Sequence, residues 1–417
     1  MAIQYGSRAL RAVQYVKSIP RYLAVRALSG RARAAATGPL SLLRYAEIEP
    51  PPLPSERWIR VRTRLCGICG SDLATVSAKG SPYFSPFVST PFVLGHEVVG
   101  EVAVVGAEVE DVSVGDRIVI EPALHCAVRG ITPACLPCSR GRYAACENVL
   151  GGDIAPGIQT GYCRDTGGGW SPEFVAHECQ AVRVPDGVSD EAAVLIEPFA
   201  CALHAVLRAS VLAGQTVLVL GCGTIGLLTI AALRGLGLDN DILASAKHPV
   251  QKELALALGA TAIVPTGPAL YDELPRATGA TVLHPEMGKP VIVGGADVTF
   301  DCVGASSTLD DAVRMTRSGG EVILVGMPSI PTGVDWTNIW HKELRVQGAY
   351  AYGIERWQDR HVRTFAIAMQ IIRDGEDALV PLVDARYPLH RYRDAILNAL
   401  HAGRRGSVKT VFEFPSD

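Results

Sequence analysis

The stretch "TVLVLGCGTIGLLTIAALRGLG" (Thr216 to Gly237) limits the fold more than any other part of this 417-residue chain. A short apolar, β-branched run enters Gly221-Cys222-Gly223-Thr224-Ile225-Gly226, and an apolar segment of helical length follows. Glycines in this order, between a strand and a helix, allow a tight turn, then close backbone approach to a ligand, then close packing of helix on strand. The free N–H groups of a helix start favour an anion. The pattern therefore predicts that Gly221, Gly223, Thr224, Ile225 and Gly226 cradle the pyrophosphate of a dinucleotide.

The surrounding sequence extends this unit. "DILASA", "ADVTFDCVG" and "EVILVG" are continuous apolar strands, separated by the amphipathic segments "PVQKELALALG" and "SSTLDDAVRMTRSGG". Such alternation implies a doubly wound parallel sheet covered on both faces, a Rossmann-type α/β domain, expected over residues 186–345. The segment "TGPALYDELPRATGATVLHPEMGKPVIVGG" is longer than a usual link between such strands and reads as an insertion. Before residue 185 the pattern is different, with short strands and frequent Gly and Pro ("WIRVRTRL", "EVVGEVAVVG", "DRIVIEPAL"), as in a β-rich, barrel-like domain. "RVQGAYAYG" and the final "SVKTVFEF" are expected to return to that domain, giving it residues 1–185 and 346–417. Trp336 and Trp340, just before this return, read as aromatic core.

At 48% hydrophobic and 19% charged, the chain has the balance of a packed globular protein, and its length suits two domains. A net charge of −3 gives no footprint for nucleic acid or an anionic membrane. No apolar run approaches the roughly 20 residues that span a bilayer. Eleven cysteines, an odd number in a large chain, argue against a disulfide scaffold and for a reducing, cytoplasmic setting with metal-binding or catalytic thiols. The first 46 residues hold eight Lys or Arg and no acid. A mitochondrial transit peptide is one reading of that composition. The preferred one is a folded basic edge, with two strands around Ser18-Ile19-Pro20.

An NAD site normally carries an acid about 20 residues beyond the glycines, on the ribose hydroxyls. Here Ala246 stands at that point, followed by Lys247 and His248, while Asp239 and Asp241 come too early. The missing carboxylate removes repulsion against a 2′-phosphate, and Ser245 with Lys247 could hold one. NADP is therefore favoured over NAD.

Three further fragments stand in a fixed order before the glycine loop: "CGICGSD" (Cys66 to Asp72), "GHEVVGE" (Gly95 to Glu101) and "LIEPFACALHA" around Glu197. Together they resemble the zinc-dependent medium-chain alcohol dehydrogenases, especially the polyol and threonine dehydrogenase branch, from about Trp58 to the C-terminus. The resemblance implies a GroES-like fold for the β-rich catalytic domain and a homo-oligomer, dimer or tetramer. It also implies a catalytic Zn2+ on Cys69 and His96, with Glu97 and Glu197 in the remaining ligand positions, exchanging with water or substrate. Ser71 matches the position that takes the proton of the alcohol. The histidine that follows it in many relatives is replaced by Ala74, which leaves the relay's exit open. Cys66 reads as core. The function implied is hydride transfer between a small-molecule alcohol and NADP or NAD, giving an aldehyde or ketone. The rivals are a zinc-free enone or quinone reductase of the same fold and a non-catalytic redox or metal sensor.

The same family holds a structural zinc on four cysteines with two, two and seven residues between them. Cys135, Cys138 and Cys146 match the last three positions, but the first falls on Thr132. Cys126 is the nearby substitute, and its use requires the six extra residues within "AVRGITPA" to loop out; His125 and Asp153 are competing donors. Structural zinc sites are closed and tetrahedral, so the fourth corner decides the site. His204, on an apolar helical face, reads as a satisfied structural histidine.

Overall fold

The computed structural model describes residues 9–28 and 37–415. They divide into two compact units, one holding residues up to Glu197 together with Leu379–Ala402 and the segment from Lys409, the other Pro198–Ala378 with Gly403–Val408.

In the first unit, strand Trp58–Gly67 is the spine of a seven-stranded sheet. It pairs antiparallel with Val98–Val105, with Glu173–His177 and with the last strand, Lys409–Glu413. Val61, Val98, Val102, Ile118, Phe174 and Phe412 fill the interior beneath it. The N-terminal region contributes Leu10–Tyr15, which pairs with Leu43–Ile48 and Phe92–Val93. The second strand expected around Pro20 is instead a helix, Ile19–Leu28. Pro20 sits in its first turn, where a missing N–H costs nothing, and Arg21, Leu23, Ala24, Arg26 and Ala27 are good helix formers. Residues 1–8 and 29–36, which complete the basic N-terminal reading, lie outside the described residues.

The second unit is built on six parallel strands in the order 262–264, 241–245, 216–220, 296–301, 316–324 and 345–348. The chain starts in the middle at Thr216–Leu220, runs outward through two strands, then crosses to the other side. The switch point lies between strands 216–220 and 296–301, where ligands bind in open sheets of this kind. Arg345–Gly348 is the sixth strand of this sheet, so the sheet runs past the boundary drawn at 345/346 from sequence. Thr364–Asp374, a helix beyond that boundary, also lies in this unit. The long link after residue 266 folds as helix Leu270–Thr278 and an antiparallel hairpin, Thr281–Leu283 with Val291–Val293. Trp336 and Trp340 are 64% and 70% exposed, not core.

Candidate functional site

The glycine loop follows its strand directly. Gly221 has φ of +89°, and a Cβ on Gly226 would stand 1.9 Å from the Gly221 carbonyl oxygen. Only glycine meets both demands, so the turn exists because of the residues that mark it. Helix Thr224–Gly235 starts on Gly223, leaving its first N–H groups pointing out of the turn. At the end of the next strand, Ser245 is buried and donates its hydroxyl to the Pro265 carbonyl at 3.0 Å, while Lys247 is exposed.

The second cluster lies in the first unit. Cys69 precedes helix Gly70–Val76, and its N–H donates to Asp72 Oδ2 at 3.0 Å. Asp72 is fully buried, and its other oxygen lies 3.5 Å from His96 Nδ1. Burial pushes the Asp72 carboxyl upward, and His96 is the largest influence pulling it back. With Nδ1 turned to Asp72, His96 presents Nε2 on the side of Ser71, whose Oγ is 3.5 Å away, and its ring is hydrogen-bonded to the Cys69 side chain. Glu197, in the first turn of helix Ile196–Arg208, is buried and adds to the negative field on His96 and Lys409. The carboxylate of Glu97 is taken by Lys409 Nζ, both side chains being 2% exposed. Burial works against the Lys409 ammonium, but Glu97, Cys69 and Glu197 together hold it above the ordinary range. Gly67 makes room for the pair: a Cβ there would lie 2.1 Å from Glu97 Oε2 and 2.8 Å from Lys409 Cε.

Three buried carboxylates (Asp72, Glu97, Glu197) thus stand against one ammonium, beside a thiol and an imidazole nitrogen. That excess of negative charge in a low-dielectric pocket fits a divalent cation. A thiol and an imidazole among carboxylates are donors that could hold zinc, Cys69 and His96 being the candidates. Tyr162 lies beside the cluster, its hydroxyl 3.1 Å from Thr75 Oγ1 and 3.4 Å from Asp72 Oδ1. Cys66 is fully buried in the core.

Asp72, Lys409 and Tyr162 were missed in the sequence reading. Asp72 and Lys409 left a signal, an acid in the first turn after Cys69 and a single cation inside the apolar strand "VKTVFEF". Nothing local marks Tyr162. His204 is engaged as a structural histidine, its Nδ1 2.6 Å from Glu355 Oε1.

The third cluster is the tightest. Cys126, Cys135, Cys138 and Cys146 bring their sulfurs within 4.8 Å of one another, the only such group of three or more metal donors among the described residues. Cys126 Sγ lies 3.7 Å from Cys146 Sγ and accepts from the Cys135 N–H and from Asn148 Nδ2, each at 3.3 Å. Thr132, at the family's usual first position, is exposed. His125 stacks instead on Tyr143, with ring centroids 4.4 Å apart. Burial raises the Cys146 thiol to about 11, whereas the Glu147 and Cys138 amides outweigh burial at Cys135 and lower it to about 7. Amides aimed at sulfur favour the thiolate, the form that binds metal. Between Cys126 and Cys135 the chain is mostly solvent-exposed, at Ala127, Gly130 and Thr132 to Ala134, but it is anchored at two positions. Val128 and Arg129 turn inward and are 1% and 0% exposed.

Two family models match the chain: the alcohol dehydrogenase GroES-like domain over residues 55–186 and the zinc-binding dehydrogenase model over 224–366. L-idonate 5-dehydrogenase of Vitis vinifera is 30% identical over 378 residues, 89% of this chain and 92% of its own length. The chain belongs to the zinc-dependent medium-chain alcohol dehydrogenase family, in its polyol-type branch. Sorbitol dehydrogenase of Bacillus subtilis (strain 168) is 29% identical, covering 86% of this chain and 91% of that protein. Among solved structures, 2R,3R-butanediol dehydrogenase of Bacillus subtilis superimposes with a TM-score of 0.70 at 26% identity, covering 97% of this chain and 100% of that one. The protein is an NAD(P)-dependent zinc alcohol dehydrogenase, an oxidoreductase that exchanges a hydride between an alcohol and the nicotinamide. Neither the zinc-free reductase nor the sensor reading is favoured by these matches.

If all four cysteines hold one ion, metal analysis gives two zinc atoms per chain. Cys126→Ser then lowers the count to one; two zinc atoms retained by that variant would remove Cys126 from the site.

Proposed function

We propose that the chain oxidises a polyol or related hydroxylated metabolite, reversibly, with zinc on Cys69, His96 and Glu197 and with Glu97 as an alternate ligand. The observation that carries this reading is the Cys69–His96 pair, backed by Asp72 and facing buried acids with one cation among them. When bound, zinc supplies Lewis acidity to the substrate oxygen and the nicotinamide accepts or donates the hydride. The chain's own residues do the rest. Asp72 lies on the Nδ1 side of the imidazole and leaves Nε2 turned toward Ser71. Lys409 draws the Glu97 carboxylate aside. Ser71 Oγ, beside His96, takes the proton of the substrate hydroxyl. Ala74 cannot pass it on, and the neighbouring Tyr162 and Thr75 hydroxyls provide the next polar groups. Burial and Asp72 hold the Tyr162 phenol well above its usual range, so it stays a hydroxyl.

The second zinc is assigned to Cys126, Cys135, Cys138 and Cys146 in a structural role, since four thiolates leave no open position. The dinucleotide lies on Gly221, Gly223, Thr224, Ile225 and Gly226, and NADP is preferred. Support for that preference is the absence of an acid at Ala246 and the exposed Lys247. Ser245 contributes less than its position suggested, because its hydroxyl is engaged with Pro265. The turn Ala402–Arg405 packs so closely on His248 that a Cβ on Gly403 would meet its ring at 2.3 Å, and this turn carries exposed Arg404.

A second copy of the chain is the partner we assign. Arg345–Gly348 is an edge strand, and exposed Trp336, Trp340 and Ile330 precede it in the chain. Unpaired edges and apolar patches of that kind are usually covered. Eleven free cysteines support a cytoplasmic setting.

Three measurements test these assignments. Cys69→Ser lowers alcohol turnover by more than about 100-fold while dinucleotide binding survives; full activity would defeat the mechanism. NADPH binds at least about tenfold more tightly than NADH, one charge-assisted contact's worth; a clear NADH preference reverses the cofactor assignment. In sedimentation the protein runs as a dimer or larger, and Trp340→Glu weakens the association; a monomer at all concentrations would rule the partner out.

A further inference from the structure

Arg129 lies in the turn that sets this chain apart from the usual cysteine spacing. Its side chain is fully buried. Nε donates to the Leu124 carbonyl at 2.9 Å, and Nη1 to those of Gly151, Ile154 and Ala155 at 2.9, 3.2 and 3.3 Å. Nη2 donates to the Gly157 carbonyl. Every one of these acceptors is a neutral main-chain oxygen. The guanidinium thus clamps the 151–157 segment to the turn that carries Cys126, whose carbonyl accepts from the Arg129 and Ile131 amides at 3.1 and 2.9 Å.

Hydrogen bonds satisfy the donors but leave the charge. A buried cation without an opposite charge costs several kcal/mol, and guanidinium does not escape by losing its proton. Burial is the largest influence on Arg129, opposed by the fields of Cys163, Cys146, Cys126 and Asp165. Burial holds the Cys163 thiol up, so it is neutral. Asp165 spends one oxygen on the Ala155 amide at 2.6 Å and pairs its other with Arg164 at 3.5 Å. Asp153, beside Gly130, is exposed to solvent that screens its charge, and the anion that the turn itself carries is the cysteine cluster. Four thiolates around one Zn2+ carry a net charge of two minus, a dianion that needs a cation nearby as much as Arg129 needs an anion.

We propose that Arg129 is the counter-charge of the four-cysteine site, so that zinc affinity there depends on a cation at position 129 and not only on the four sulfurs. Arg129 is a positioning residue in this role: it touches no ligand atom, binds the turn that delivers Cys126 and offsets the charge of the occupied cluster. The proposal rests on the four-thiolate reading above.

The test is zinc competition against a chromogenic chelator on the Cys69→Ser protein, in which the four-cysteine zinc is the one remaining. In that background Arg129→Met lowers zinc affinity by roughly 10- to 100-fold, the range for lost groups that support metal ligands. Arg129→Lys keeps the charge while losing most of the carbonyl contacts, and its loss stays below about tenfold. Circular dichroism of the zinc-loaded forms checks that each variant is folded. If Arg129→Met does not fold, Arg129→Lys decides alone, since a loss beyond tenfold there overturns the proposal. Equal losses in the Lys and Met variants would leave only a carbonyl clamp and overturn the charge role. An unchanged affinity in the Met variant overturns it as well. A parent protein that holds no zinc at these cysteines would instead sink the four-thiolate reading.

Discussion

The buried pair between Lys409 and Glu97 is the constraint on which the first unit depends. Lys409 opens the last strand of the chain, which lies antiparallel beside Trp58–Gly67. Glu97 follows directly on His96, and Gly67 leaves the space in which the two charges meet. A lysine this deep persists only beside an anion, and a carboxylate this deep only beside a cation. Neither can be removed alone without leaving an uncompensated charge in the core. The pair therefore fixes the C-terminal strand to the segment carrying His96, although the two are over 300 residues apart in sequence.

The same electrostatics separates the two cysteine-bearing centres. Around Cys69 and His96, Asp72 and Lys409 hold their neighbours in place, and the buried acids outnumber the cations, a balance that favours a dication. Around Cys126, Cys135, Cys138 and Cys146 all four donors are thiols, and main-chain amides point at three of the sulfurs. A closed thiolate shell offers nothing to a substrate. The densest run of cysteines in the chain is thus the one whose donors are all thiols.

How much of this was legible in the sequence follows from how local each cause is. The glycine loop was readable because every demand on it arises within six residues: a positive φ at Gly221 and a close approach at Gly226. The parallel sheet was readable from hydrophobic pattern, whereas Cys69 and His96 were singled out by the family resemblance of the fragments that carry them. The helix at Ile19–Leu28 was mistaken for a strand because Val25 and Tyr22 weighed more in the pattern than Pro20 in the first turn, and Val25 alone is buried there. Trp336 and Trp340 look like core by composition, yet both are exposed, because residue type alone does not say which face of a short helix is turned outward. Tyr162 was beyond reach, since its partners Thr75 and Asp72 lie about 90 residues away and no pattern links them.

The reach of Cys126 shows why spacing rules for metal loops are soft. Lengthening the connection between the first two ligands from two residues to eight is two doublings of loop length, which costs only about 1 kcal/mol in closure entropy. That is less than the worth of the hydrogen bonds the added residues make. Val128 joins Trp58, Leu124 and Val175 in a small apolar cluster, and Arg129 binds five carbonyls on both sides of it. The insertion is therefore not slack between two ligands. Val128 and Arg129 make part of it a second piece of core while its other residues face solvent, and the position of Cys126 follows from how those two pack.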